Sequence, residues 1–165
     1  MTAKTWLAAA IMFLALPLAR SLAAQDLPRV MIQTELGSME VVVDTIGSPD
    51  AAGNFLDYVD HGGYRGGHFH RTVRAERQRA GKAEIEGIQG GVNPSHSKDV
   101  PLTPDFFIRV GAQTELGRVE PNGRGFTPFG RVVRGREVVR LIHTARAKDH
   151  RLTPPVGIIS ITRVR

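Results

Sequence analysis

Few residues in this chain have the type and spacing to do chemistry, and several possibilities fall at once. There is no cysteine among the 165 residues, which removes thiol catalysis, disulfide staples and cysteine metal sites. His68 and His70 stand two apart, so on a strand both rings share a face. A metal site needs further ligands, and no third one stands at a recognisable spacing. His70 reads instead as a hydrogen-bonded structural histidine. Basic residues are scattered, with Arg71, Arg74, Arg77 and Arg79 in one stretch, Arg131, Arg134 and Arg136 in another, and few aromatics between them. That scatter argues against a nucleic-acid partner. The formal net charge of +6 acts mainly on solubility and on loose attraction to anions. Nothing in the pattern calls for a cofactor.

The elements that must position any site begin after a targeting segment. Lys4 and the amino terminus precede an unbroken apolar stretch from Trp6 to Leu18, and the small residues Ser21, Ala23 and Ala24 follow. This reads as a secretory signal over residues 1–24, cut after Ala23 or Ala24. A retained anchor is the competing reading, but thirteen apolar residues fall short of the ~20 that span a bilayer as a helix. The expected product is one domain over residues 25–165, periplasmic or secreted, monomeric, and without stable membrane insertion after cleavage.

Within that domain, Val30, Ile32 and Thr34 alternate, a turn follows at Gly37-Ser38, and Met39, Val41 and Val43 alternate again, which predicts a hairpin. Ser48-Pro49-Asp50 predicts a helix start with Ser48 as N-cap. Ala52, Phe55, Leu56 and Val59 then fall at helical spacing until Gly62-Gly63 stops the helix. Strands are expected over Gly67–Val73, around Ile88, over Phe106–Val110, over Phe129–Val133 and over Val156–Val164, with a second short helix through Val138, Leu141 and Ile142. Arg74 to Lys82 reads as a loop and Gly90 to Pro104 as irregular. Many short strands with two isolated helices predict a mainly β protein: a closed or nearly closed antiparallel barrel, with an open α+β sheet as the alternative.

Several fragments, in order, resemble the cyclophilin-type peptidyl-prolyl isomerase family. They are Asn54-Phe55-Leu56-Asp57-Tyr58-Val59 with Gly63-Tyr64 after it, Phe69-His70-Arg71, Ile88-Gln89-Gly90-Gly91, Phe106-Phe107-Ile108, and Phe129-Gly130-Arg131-Val132-Val133. The resemblance implies a cyclophilin-like antiparallel β-barrel with two capping helices. Its outer surface would bind proline-containing peptides or unfolded exported proteins and turn over the X-Pro bond.

That chemistry needs no nucleophile, metal or proton shuttle. The barrier to amide rotation, ~18–20 kcal/mol, comes from the nitrogen lone pair shared with the carbonyl, and an X-Pro bond left alone takes tens to hundreds of seconds to isomerise. A guanidinium suits the task of stabilising a nitrogen whose lone pair has become localised, being always charged and rich in fixed donors. One charge-assisted hydrogen bond of ~1.5–3 kcal/mol accounts for about ten- to a hundredfold in rate.

The resemblance implies Arg71 as that donor, Gln89 as the holder of the substrate backbone, and Phe69, Phe107, Asp105, Leu116 and Phe126 as substrate-contacting residues. For Phe107 and Phe126 a place in the barrel core is an equal alternative. The sequence also departs from the family pattern. The bridge from Arg71 to Gln89 is longer and lacks Pro-Gly-Phe-Met. No Ser-Met-Ala stretch occurs between Gly91 and Asp105. Asp105 stands where glutamine is usual, Glu115 where an aromatic occurs, and Phe126 where histidine is common. A carboxylate can only accept hydrogen bonds, so Asp105 is expected to orient Arg71. These departures keep a second function open, a noncatalytic module that binds peptide or protein through an altered groove.

Overall fold

Alternation of apolar and polar residues over the first described stretch produces a hairpin, β1 (Arg29–Thr34) and β2 (Gly37–Val43), paired antiparallel from Arg29↔Val42 to Thr34↔Gly37. The structure, a computed structural model, describes residues 26–74, 86–92, 105–111 and 127–164. After the hairpin come α1 (Pro49–Asp60), β3 (His68–Val73), β4 (Gly87–Gly91), β5 (Phe106–Arg109), β6 (Gly130–Arg134), α2 (Arg136–Thr144), β7 (Ala147–Lys148) and β8 (Arg151–Arg163). The strands form one antiparallel sheet in the order β5-β4-β3-β8-β1-β2-β6, with β7 alongside the start of β8. It curls into a half-barrel, the expected mainly β architecture with two helices. Among the described residues the two edge strands, β5 and β6, do not pair with each other.

The concave side is filled by Val30, Ile32, Met39, Val43, Phe69, Ile88, Ile158 and Ile161, each at most 3% exposed. Every such side chain contributes about 1.5–3 kcal/mol relative to exposure. Helix α1 adds Ala52, Phe55, Leu56 and Val59 from one face, and α2 adds Val138, Val139 and Ile142. An aromatic knot joins helix to sheet: Phe55, Tyr64, Phe69 and Phe106 stand 5.4–5.6 Å from one another in the pairs Phe55–Tyr64, Phe55–Phe106, Tyr64–Phe106 and Phe69–Phe106.

Three expectations need amendment. Ser48 occupies the N-cap position of α1 but makes no side-chain capping bond, and its hydroxyl donates instead to the Pro128 carbonyl at 2.7 Å. The helix is tied at its other end by Arg163, which donates two 2.7 Å bonds to the Asp60 carboxylate. The closing strand starts five residues earlier than the pattern indicates, at Arg151, and runs through Pro154-Pro155. Proline lacks the N–H a ladder requires, but this stretch faces an irregularity: partners of β3 jump from Phe69↔Val156 to Arg71↔Arg151. The prolines therefore sit where β3 offers no regular ladder. Finally, Gly90 and Gly91, read as the start of an irregular segment, belong to β4. Val92 follows as a buried residue; that segment from residue 93 onward, and the expected loop from residue 75 onward, lie outside the described residues, as do residues 1–24.

Candidate active site

Strand β3 carries the site, and one surplus residue in it decides which side chains reach the surface. Against β4 the register runs Phe69↔Gly90 and then Arg71↔Gln89, so His70 is an extra residue with no opposite number. Such a β-bulge locally breaks the two-residue alternation and re-aims side chains. Phe69 points inward and is fully buried, Arg71 is exposed, and Thr72 is buried again. The expectation that Phe69 contacts substrate is thus corrected: its ring packs edge-on to Phe106 at 5.6 Å beneath the strand. Gly90 makes room for it, since a Cβ there would stand 2.7 Å from the Phe69 ring.

On the outer face the register aligns three of the sequence candidates. Arg71 is opposite Gln89, and Gln89 is opposite Phe107 on β5. Cross-strand partners project from the same side of a sheet, so guanidinium, amide and phenyl form one row. The longer bridge does not disturb it, because an antiparallel pairing fixes the register whatever the length of the connection. Phe107 is half-buried, and its ring lies over Gly87, where an added Cβ would stand 2.5 Å from the ring edge. Phe106, its neighbour, faces the core, as alternation along a strand requires.

Hydrogen bonds orient the row. The Arg71 guanidinium donates to the Gln89 amide oxygen across a long 3.4 Å, while the Gln89 amide nitrogen donates to the Asp105 carboxylate at 3.0 Å. Asp105 therefore orients Gln89 rather than Arg71, correcting the expectation. It fixes which end of the amide faces the arginine. The His70 ring nitrogen lies 3.6 Å from the same carboxylate, a consequence of the bulge that leaves His70 on the outer side. Among the described residues no carboxylate pairs with Arg71. Burial pushes the Tyr64 phenol well above the ordinary tyrosine range, with smaller contributions from Tyr58 and from Asp105.

Behind the site, α2 is latched to the end of β3. The Thr72 hydroxyl and the Arg74 guanidinium both donate to the His143 carbonyl, at 2.9 and 2.7 Å, and Arg74 also donates to the Ala145 carbonyl at 2.6 Å. The His143 ring nitrogen lies 3.0 Å from the Val73 carbonyl. Neither Arg74 nor His143 was marked by any spacing in the sequence, because the partners are about seventy positions apart. His68 and His70 have ring centroids 6.0 Å apart, and among the described residues no group of three or more His, Cys, Asp or Glu side chains gathers as a metal site would require. Leu116, Phe126 and Glu115 lie outside the described residues, as does most of the stretch between Gly91 and Asp105.

Comparison with known proteins bears on this arrangement directly. Residues 29–101 match the family model described as cyclophilin type peptidyl-prolyl cis-trans isomerase/CLD. The chain is 26% identical over 147 residues to peptidyl-prolyl cis-trans isomerase A of Dickeya dadantii, covering 77% of each protein. It is 29% identical over 155 residues to a peptidyl-prolyl cis-trans isomerase of Streptomyces antibioticus, covering 79% of this chain and 93% of the relative. Among solved structures, a cyclophilin type peptidyl-prolyl cis-trans isomerase of Cryptosporidium parvum superposes with a TM-score of 0.63 at 18% identity, over 84% of this chain and 98% of the other, a likeness of fold. A second structure of that protein, obtained in the presence of the dipeptide Ala-Pro, gives 0.62. The matched stretch contains both Arg71 and Gln89, the two residues the register places side by side, and the family model, the curated relatives and the structural neighbours together support the cyclophilin-type peptidyl-prolyl cis-trans isomerase family for this chain.

Proposed function

We propose that this protein accelerates cis-trans rotation about X-Pro bonds in extended segments laid over the outer face of β3, β4 and β5, and that its substrates are exported proteins still folding. The observation that carries the catalytic reading is the in-register row of Arg71, Gln89 and Phe107 with the guanidinium exposed. In this reading the proline ring rests on Phe107, the Gln89 amide, held by Asp105, meets the substrate backbone, and Arg71 donates to the prolyl nitrogen as its lone pair localises. Positioning on a rigid sheet supplies the remaining acceleration. The export reading is supported by the leader-like composition of residues 1–24.

The test is the cis-to-trans rate of a short Ala-Pro peptide with wild-type protein and with Arg71→Ala. Catalysis by the wild type that falls about ten- to a hundredfold in the variant is expected. If both match the uncatalysed rate while the peptide still binds, the noncatalytic reading replaces this one. Secretion of a fusion carrying residues 1–24, with cleavage near Ala24, tests the export reading; retention of the uncut fusion in the cytoplasm would refute it.

A further inference from the structure

The row through the site does not stop at Arg71. On its other side Arg71 is the register partner of Arg151 in β8, and Arg151 is in turn the partner of Lys148 in β7. Five strands thus carry, in line on one face, Lys148, Arg151, Arg71, Gln89 and Phe107. All three cations are exposed, and among the described residues no carboxylate pairs with any of them. Like charges placed directly opposite on neighbouring strands are destabilising, so three in succession are an arrangement that folding alone does not favour. The cations nonetheless stand on a braced support. The turn at Asp149-His150 has positive φ at both residues, 48° and 66°, as a tight two-residue hairpin turn demands, and the Thr72 amide donates to the His150 carbonyl at 2.8 Å. Arg151 and Lys148 are thereby anchored to β3, next to the residue on which catalysis depends.

We infer that Arg151 and Lys148 form an anion-binding subsite that selects X-Pro substrates carrying an acidic side chain, Asp or Glu, on the side of the proline away from Phe107. Adjacent strands lie about 5 Å apart, so Arg151 is about 5 Å and Lys148 about 10 Å along the row from Arg71. An extended peptide advances about 3.3 Å per residue. A substrate lying along the row with its X-Pro bond at Arg71 brings a carboxylate two or three residues away over this pair. The positive field also raises encounter rates with such substrates. This inference rests on the proposed isomerase reading for where the X-Pro bond lies.

Two pairs of acetylated, amidated peptides test it, the members of each pair identical except for Glu or Gln three residues from the proline, on one side of it in the first pair and on the other side in the second. Both isomerisation and binding by fluorescence anisotropy are read. The expected result is about three- to tenfold higher kcat/KM and affinity for the Glu peptide in one of the two placements, shrinking towards unity at 1 M salt, where the screening length is about 3 Å. In K148Q/R151Q, checked for an unchanged melting transition, the Glu-to-Gln ratio falls to about one, and in K148E/R151E a further peptide with Lys at that position is preferred over the Glu peptide. Equal values for the two peptides in both placements, or a preference that survives either variant or high salt, overturn the subsite. If neither peptide is isomerised but the Glu peptide binds better in the expected pattern, the isomerase reading fails and the subsite stands.

Discussion

Tyr64→Phe separates the burial of a phenol from the packing of its ring. The ring stands 5.5 Å from Phe55, 5.7 Å from Tyr58 and 5.4 Å from Phe106, contacts that phenylalanine preserves. The hydroxyl belongs to a residue only 2% exposed, and burial, aided by Tyr58 and Asp105, raises its pKa above the unfolded value. In the unfolded chain a tyrosine ionises near pH ~10. Below that pH both states keep the proton and the contribution to stability is complete. Above it the unfolded chain releases a proton that the folded chain retains, so stability falls by up to about 1.4 kcal/mol per pH unit until the folded value is reached. Integrated from about pH 10 to 11, the loss is about 1 kcal/mol, against a typical total of about 5–15. Urea unfolding of wild type and variant between about pH 8 and 11 measures it, because other alkaline titrations cancel in the difference. The two stabilities should run parallel below about pH 9, and by about pH 11 the wild type should have lost about 1.4 kcal/mol relative to the variant. Parallel curves throughout would show that the phenol titrates as in water and that the aromatic knot is not closed over it.

Phe69→Ala, which empties a fully buried site, should cost about 3–5 kcal/mol in chemical denaturation, whereas Phe107→Ala, at a half-buried position, should cost less than half as much while lowering kcat/KM; equal stability losses would contradict the assignment of one ring to the core and the other to the outer face. Gly135, the N-cap of α2, has φ +77° and a Cβ there would meet the Met39 Cα at 2.7 Å, so Gly135→Ala should lower the unfolding free energy by at least about 1–2 kcal/mol, seen as a lower urea midpoint. The hydrogen bond from Arg163, more than any other cause, holds the Asp60 carboxyl below the usual carboxylate range. Its stabilisation is therefore present above the unfolded pKa of ~3.9 and is lost as pH falls through the lower folded value; acid unfolding followed by circular dichroism should be less steep in Asp60→Asn, and an unchanged profile would count against the pairing.

Much of this arrangement is legible from local pattern. The hairpin alternation and the helical spacing of Ala52, Phe55, Leu56 and Val59 concern neighbours within a few positions, and the structure follows them, except that the turn expected at Gly37-Ser38 falls at Glu35-Leu36, with Gly37 and Ser38 opening β2. The fragments around Arg71, Gln89 and Phe106-Phe107 fall on three neighbouring strands, whose register puts Arg71, Gln89 and Phe107 in one row. What alternation cannot reveal is where it stops. Phe69 and Arg71 are two apart and were both assigned to the substrate surface, but the bulge at His70 depends on how β3 meets β4 and β8, a property of three strands at once. The same holds for Asp105, whose partner among two candidates, Arg71 and Gln89, is settled by register, and for Pro154-Pro155, where a local rule against strand is relaxed by an irregularity on the neighbouring strand. The Arg74 and His143 latch joins segments remote in the chain and carries no local signature.

The bulge also says what kind of sequence change β3 can absorb. It acts as a phase shift, reversing the in-and-out parity of every later position up to Val73. Exchanging His70 for another residue alters one side chain at the surface and leaves the phase alone. Losing one position, or gaining a second, would instead turn the guanidinium towards the aromatic knot and send Thr72 outward, stranding a charge in apolar surroundings. In this stretch the number of residues is held more tightly than their identity, and drift in composition is far cheaper than drift in length.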